Sequence, residues 1–347
     1  DSGEQDAGLE LMQKAVELAA FPGQRAQMQL ALYQRRILTG PVGLEMVKDL
    51  KEKTEAFKGQ RAGFRFAQEY ALALHKIGQH ANALNVLETH LALLSGSEGQ
   101  ERDQLLLLIG SLSGKESGRG LLALKQLLRE GVERSQMLLG LHLLLGYWPD
   151  NVVAEQEWII FLERVLQADA EHPLRGELLL LLAQAAFHQK QIDRARDAAD
   201  AYLHGFPKAE HAPDALRLLA SVSISSQPPQ YRTAASFLSR LRDKAEKGQE
   251  RLSLGVLLAD CHFLAGDFRN AADLYETSIK EASAEFDTRT LAFQHVISLL
   301  HDGALDDAKL VLDRLDPDQN GFTEYRWRAE WNLITCLKAD GRTEEAF

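Results

Sequence analysis

The sequence predicts an all-α protein built as a solenoid of antiparallel helix pairs. Three observations predict it. A pattern of turn glycine, aromatic or apolar residue, alanine and second aromatic recurs along the chain. Its alanines fall at near-constant spacing. The apolar residues between them keep the i, i+3, i+4, i+7 rhythm of helices buried on one side.

The pattern is clearest in LAGDFRNAADLYETSIK, Leu264 to Lys280, which carries Gly266, Phe268, Ala271 and Tyr275. Equivalent alanines stand at 195, 234, 271, 308 and 346, so the period is about 37 to 39 residues. An earlier copy, LHKIGQHANALNVLETH, supplies Gly78, Ala83 and Leu87. Between Ala83 and Ala195 there is room for two more units, one anchored near Ala123 and an irregular one around Phe161. Ahead of Ala83, GLELMQKAVELAA and PVGLEMVKDLKEK read as two divergent units.

Each unit reads as two helices. The first places apolar side chains on one face, as Leu254, Leu257, Leu258 and Cys261 do. A glycine or polar turn follows, because a reversing chain needs a residue that tolerates positive φ. The alanine of the second helix is small so that the pair can cross closely, Ala259 against Ala271. Pro173, Pro207 and Pro317 end units where a helix must stop. One such pair buries too little to stand alone, so neighbours must stack.

Bulk composition narrows the function. Hydrophobic residues make up 45% and charged residues 26%, the balance of a folded chain rather than a disordered one. A net charge of -11 argues against nucleic acid, whose phosphates need a basic surface. No apolar run reaches the roughly 18 residues of a membrane span. The chain opens at Asp1 and stops at Phe347 inside a nascent helix, which leads us to expect a piece of a longer protein.

This order of residues resembles the tetratricopeptide repeat (TPR) family. The match is good in Glu177–Pro207 and Gly255–Ser278 and recognisable in Arg65–His90, Leu216–Leu241 and Ala292–Asp316. It is poor over Ser97–Ala170. The resemblance implies a right-handed superhelix, with divergent repeats over 1–170 and clearer ones over 171–347 continuing the same solenoid, cut off at its C-terminal end. AYLHGFPKAEHAPDALRLLA, residues 201–220, is similar to a signature of bacterial envelope-assembly lipoproteins. It implies a periplasmic or cell-envelope location, with the cytoplasm as the alternative.

In the TPR family the first helices line a concave groove. By that resemblance the groove here holds Arg65, Gln68, His75 and Lys76, then Gln184, Phe187 and His188. Asp260 and Phe263, Phe293 and His301, and Arg328 and Trp331 follow. The implied function is a non-catalytic scaffold binding a partner peptide or helix, with self-association as a further possibility. The alternative is a sensor or scaffold region of a larger enzyme or regulator. The clamp that grips acidic chaperone tails is not expected, since its positions hold Gln68, Leu72, Leu180, Gln184, Val256 and Asp260.

Chemistry-bearing patterns are weak. GSLSGKES, Gly110 to Ser117, departs from a phosphate loop by one residue and by Glu116 where a hydroxyl should hold magnesium. His262 and His295 could approach beside Cys261, but a metal needs three convergent ligands. Cys261 and Cys336 sit two units apart, too far for a disulfide, and read as small buried thiols. EYRWRAEW, Glu324 to Trp331, points first to helix packing by Tyr325 and Trp327, with peptide anchoring as the alternative. The sequence calls for no catalytic residue, metal or cofactor.

Overall fold

The computed structural model describes residues 2–94, 98–114, 118–147, 152–283, 286–314 and 323–346. Among these residues the chain is helical throughout, without a strand. Contacts divide it into two units, Asp1–Glu157 with Glu163–Arg175, and Trp158–Leu162 with Gly176–Phe347.

The first unit opens with α1 (Ser2–Leu18), α2 (Pro22–Thr39), α3 (Leu44–Ala56) and α4 (Arg61–Lys76). It continues with α5 (His80–Leu91), α6 (Gly99–Ser113), α7 (Gly118–Glu130) and α8 (Arg134–Tyr147). Helix α9 (Val152–Ala168) contributes residues to both units. The second unit holds nearly all of α10 (Arg175–His188), then α11 (Ile192–Gly205), α12 (Ala212–Ser225) and α13 (Tyr231–Lys244). After them come α14 (Gln249–Leu264), α15 (Phe268–Glu281), α16 (Arg289–His301), α17 (Leu305–Arg314) and α18 (Thr323–Ala339). A short 3-10 turn, Thr343–Ala346, follows α18.

Each unit is a solenoid of antiparallel helix pairs. Most consecutive helices within each unit pack on one another, and α2, α4, α6 and α8 also touch in series, so the first helices of the first unit form one layer. In the second unit α16 and α18 meet in the same way. Anchors Ala83, Ala195, Ala234, Ala271 and Ala308 are fully buried. Ala259 and Ala271 share one core cluster with Tyr275 and Leu291, the close crossing that the small residues predict.

The turns close alike. At Gly266, φ is 78°, its N–H donates to the Phe263 carbonyl at 3.0 Å, and the Asp267 N–H donates to His262 at 2.9 Å. This pair of bonds satisfies the last carbonyls of α14 and needs a left-handed residue. Gly78, Gly303 and Gly341 repeat the conformation, with φ between 79° and 83°. In the α10–α11 turn Lys190 takes that place at φ 57°. Pro173 lies between α9 and α10, and Pro207 follows α11; Pro317 lies outside the described residues.

The divergent stretch α6–α8 reaches the same fold by other contacts. Gly110 on α6 and Gly140 on α8 sit under Leu124 and Leu127 of α7, where a Cβ would come within 2.4 Å and 2.7 Å of leucine carbons. Buried Asp103 on α6 accepts the Val132 and Glu133 N–H groups at 2.7 and 2.8 Å, capping the start of α8. Its neighbour Arg102 donates to the Glu130 carbonyl, so adjacent residues hold both sides of the α7–α8 turn. His172 donates from Nε2 to the Leu128 carbonyl at 2.7 Å and accepts the Leu174 N–H on Nδ1 at 3.1 Å. A single ring tautomer thereby fastens the segment before α10 to α7.

Three sequence expectations need correction. Trp327 is 63% exposed rather than packed between helices. Cys336 is only half-buried, against the buried thiol expected. Lys76 donates to the Ile37 and Gly40 carbonyls, completing the end of α2 rather than facing a groove.

Candidate functional site

A groove in the first unit lies across α4, α6 and α8, with a volume of about 480 Å³. Its apolar lining is Leu72, Leu107, Leu108, Leu139 and Leu143. The reason is compositional. Helix α6 buries Leu105, Leu106 and Ile109 in the core, and α8 buries Met137, Leu141 and Leu144. Both helices carry more leucines than one buried stripe uses, and the surplus faces the groove. Leu139 is 53% exposed there.

Polar groups punctuate the trough. Gln68 donates to Gln104 across α4 and α6 at 3.2 Å. Glu69, 4% exposed, accepts the Gln34 amide on Oε1 at 2.9 Å. Burial raises its carboxyl above the usual range, only partly offset by that hydrogen bond. Sequence reasoning placed Gln68 here but missed Glu69 and the leucines of α6 and α8. The available signal was the run LLLLI in α6, too apolar for a helix with a solvated face.

In the second unit the expected groove residues separate into groups. Phe187 and His188, at the end of α10, line a cavity of about 800 Å³ with Lys190, Ile192, Arg196 and Ser226. Arg196 donates to Ser226 Oγ at 3.0 Å and pairs with Asp193 at 3.1 Å. Phe263 and His301 come together on Phe268, a residue read from the sequence only as the aromatic of the repeat pattern. The ring centroids are 5.4 Å apart for Phe263–Phe268 and 4.8 Å for Phe268–His301.

Other candidates have intramolecular partners. Asp260 accepts the Tyr275 hydroxyl at 2.5 Å, and burial first, then this bond, pushes the phenol's pKa up. Phe293 packs on Tyr325 at 5.6 Å and against the core of α16–α18. Arg328 pairs with Glu324 at 2.7 Å. Gln184 is exposed. Trp331 stacks on Trp327 with centroids 6.3 Å apart, and both rings face solvent. Of the first-unit candidates, Arg65 is exposed and His75 contacts His80 at 2.9 Å.

The histidines beside Cys261 do not converge on a metal. His262 Nδ1 meets Asp267 at 2.8 Å, and His295 is buried, which lowers its pKa. Burial, then the Asp260 charge, pushes the Cys261 thiol up to about 11, disfavouring the thiolate that a metal or nucleophilic role requires. Among the described residues no three His, Cys, Asp or Glu side chains are grouped to hold an ion. No described helix is long and apolar enough to cross a membrane.

No protein-family model matches the chain, and no curated protein matches it. The architecture is TPR-like. That statement stands on the paired helices, buried alanines and glycine-closed turns of the chain itself. Among the solved structures similar to it are two at 14% identity each. The structure of Naa15/Naa10 bound to HypK-THB has a TM-score of 0.31, covering 91% of this chain and 55% of that one. The chain thus spans about half the length of that relative. The crystal structure of the P58(IPK) TPR domain has a TM-score of 0.28, covering 92% of this chain and 97% of that one.

Proposed function

We propose that the chain is a non-catalytic scaffold that holds a segment of a partner protein against the exposed faces of its first helices. The observation that carries this reading is the leucine-lined groove of α4, α6 and α8. Five leucines turned towards an open trough are apolar surface that a partner segment covers favourably. Helices packed into a rigid stack leave most of the ordering cost to the partner.

Aromatic faces extend the proposal to the second unit. Phe187 with His188, Phe263 with His301, and Trp331 supply ring surfaces suited to anchoring side chains. Gln184, Asp260, Phe293 and Arg328 flank them. A net charge of -11 favours a protein partner over nucleic acid. The likeness of residues 201–220 to envelope-assembly lipoproteins supports an exported location, which fractionation of the producing cells tests.

The test is site-specific photocrosslinking. A benzophenone side chain is placed at Leu108, at Phe263 or at Trp331, and for comparison at Asp197 on a second helix. A discrete protein adduct from a first-helix site, abolished by a Leu108→Glu or Phe263→Glu plus Trp331→Glu background of unchanged helicity, is the expected result. Adducts forming equally at Asp197, or only there, would remove the first helices as the working surface.

A further inference from the structure

Glu69 is out of place for a groove that serves only apolar contacts. The residue is only 4% exposed, at the edge of the leucine trough that it helps to line. Oε1 takes the Gln34 amide at 2.9 Å. Among the described residues Oε2 has no hydrogen-bond partner. No lysine or arginine among the described residues pairs with it, and burial raises its pKa against the opposing effect of the Gln34 bond. The other polar groups lining the groove, such as Gln104, Ser111 and Gln136, are neutral amides and hydroxyls, with His142 at one side. A mostly buried carboxylate that lines the trough, with one oxygen unpaired and no described countercharge, is an acceptor placed for a cation brought to the site.

We propose that this groove reads a basic amphipathic segment of a partner protein, with leucine-sized side chains in the trough and one lysine or arginine on Glu69 Oε2. The inference rests on the scaffold reading and sharpens it to a class of partner. Apolar contact with Leu72, Leu107, Leu108 and Leu139 supplies affinity. The single acid supplies register and rejects acidic segments, because a second carboxylate beside it is repelled. The Gln34 bond fixes the rotamer of Glu69 before any partner arrives, so the cation meets an acceptor already in place.

The experiment uses the full chain and four synthetic fourteen-residue peptides. The parent has leucines at i, i+3, i+7 and i+10 with flanking lysines. One analogue replaces each lysine by glutamine, another replaces each by glutamate, and a third replaces each leucine by alanine. Binding is read by fluorescence anisotropy for the wild type, Glu69→Gln and the surface control Glu52→Gln. Glu69→Gln keeps an oxygen for the Gln34 amide and removes only the charge. The expected result is at least tenfold tighter binding of the parent than of either the glutamine or the alanine analogue, and no binding of the glutamate analogue. Glu69→Gln should abolish the lysine preference, and Glu52→Gln should leave it intact.

A lysine preference equal in wild type and Glu69→Gln would assign it to the chain's overall negative charge and overturn the proposal. Equal binding of lysine and glutamine peptides would overturn it while leaving the scaffold reading intact. Failure of all four peptides to bind would overturn it. So would a wild-type dimer, seen by sedimentation, that Leu108→Glu dissociates, since a second copy would then be the occupant. If Glu69→Gln fails to fold, carbodiimide coupling on wild type decides instead. A zero-length link from peptide lysine to Glu69 supports the proposal, and links confined to surface acids overturn it.

Discussion

Two stretches of this molecule solve one packing problem with different residues. In α14 and α15 the close approach is made by Ala259 and Ala271, both fully buried in one cluster, and the turn between them is closed by Gly266. In α6–α8 the small residues are Gly110 and Gly140, and the facing helix α7 brings Leu124 and Leu127 down onto them. The total width is preserved by pairing a smaller residue with a larger one. Gly114, at φ 71°, ends α6 as Gly266 ends α14, but the following α7–α8 turn is held by the Asp103 carboxylate and the Arg102 guanidinium. Repeat geometry constrains the sum of side-chain volumes across a crossing, and several residue pairs satisfy that sum. The α6–α8 solution frees leucines for a groove. Helix α14 buries Leu252, Leu254 and Leu258 and leaves Leu257 and Leu264 exposed.

The sharpest way to break the comparison is at the turn. Asp103→Ala should destabilise by about 2–3 kcal/mol, since it leaves the Val132 and Glu133 amides just ahead of α8 without an acceptor. Asp267→Ala, at the exposed turn after α14, should cost about 1 kcal/mol or less, although it loses bonds from Asn270 and His262. Urea unfolding of both variants measures the contrast, and equal losses would mean the Asp103 cap is not what secures the divergent turn.

Next comes the crossing itself. In a solvated helix Gly→Ala gains about 1 kcal/mol. Gly110→Ala should instead lose about 1–2 kcal/mol, because the new methyl meets Leu124 at 2.4 Å. Adding Leu124→Ala should recover the clash while leaving the cost of a lost leucine. A neutral Gly110→Ala would show that α6 and α7 move apart freely, and the volume-sum account would fail.

A smaller effect distinguishes the turns within the regular half. Gly266→Ala should cost about 1 kcal/mol, the penalty of a Cβ at φ 78°. Lys190→Gly should gain about half a kcal/mol by relieving the same strain at φ 57°. Thermal melts of the pair should move in opposite directions.

The least effect is one of pH. Burial raises the Glu69 pKa in the folded chain above its usual 4.5, so the native state holds that proton longer than the unfolded chain does. The stability this confers is fully present below about pH 4.5 and is lost as pH rises through the folded value. Glu69→Gln should therefore fall in stability less steeply than wild type across that window. Parallel curves would mean Glu69 is solvated in the groove.

Legibility followed chemistry that is local along the chain. Glycine at positive φ and alanine at a helix crossing are demands each repeat makes on its own residues. Gly78, Gly266, Gly303 and Gly341 could therefore be read as turns, and Ala195, Ala234, Ala271 and Ala308 as anchors. The groove was legible only in part. Counting along first helices reached Gln68, but it also nominated Lys76, which caps α2, and Asp260, which answers Tyr275. A helical position states which way a side chain points, not whether another group is already there. Trp327 illustrates the converse, since it reads as helix packing until its exposure is known.

The sequence by itself determined an all-α chain of paired helices, the places of its turns and the small residues at its crossings. Each is a local steric requirement that repeats at a fixed interval. Tertiary structure alone decided that α6–α8 belongs to the same architecture, through Gly110 under Leu124 and Asp103 beneath α8. It alone assigned the surplus leucines to an open groove with Glu69 buried at its edge. The physical reason is that burial and pairing are properties of neighbours distant in sequence. One run of leucines can fill a core or line a trough, and only the packed helices around it make the choice.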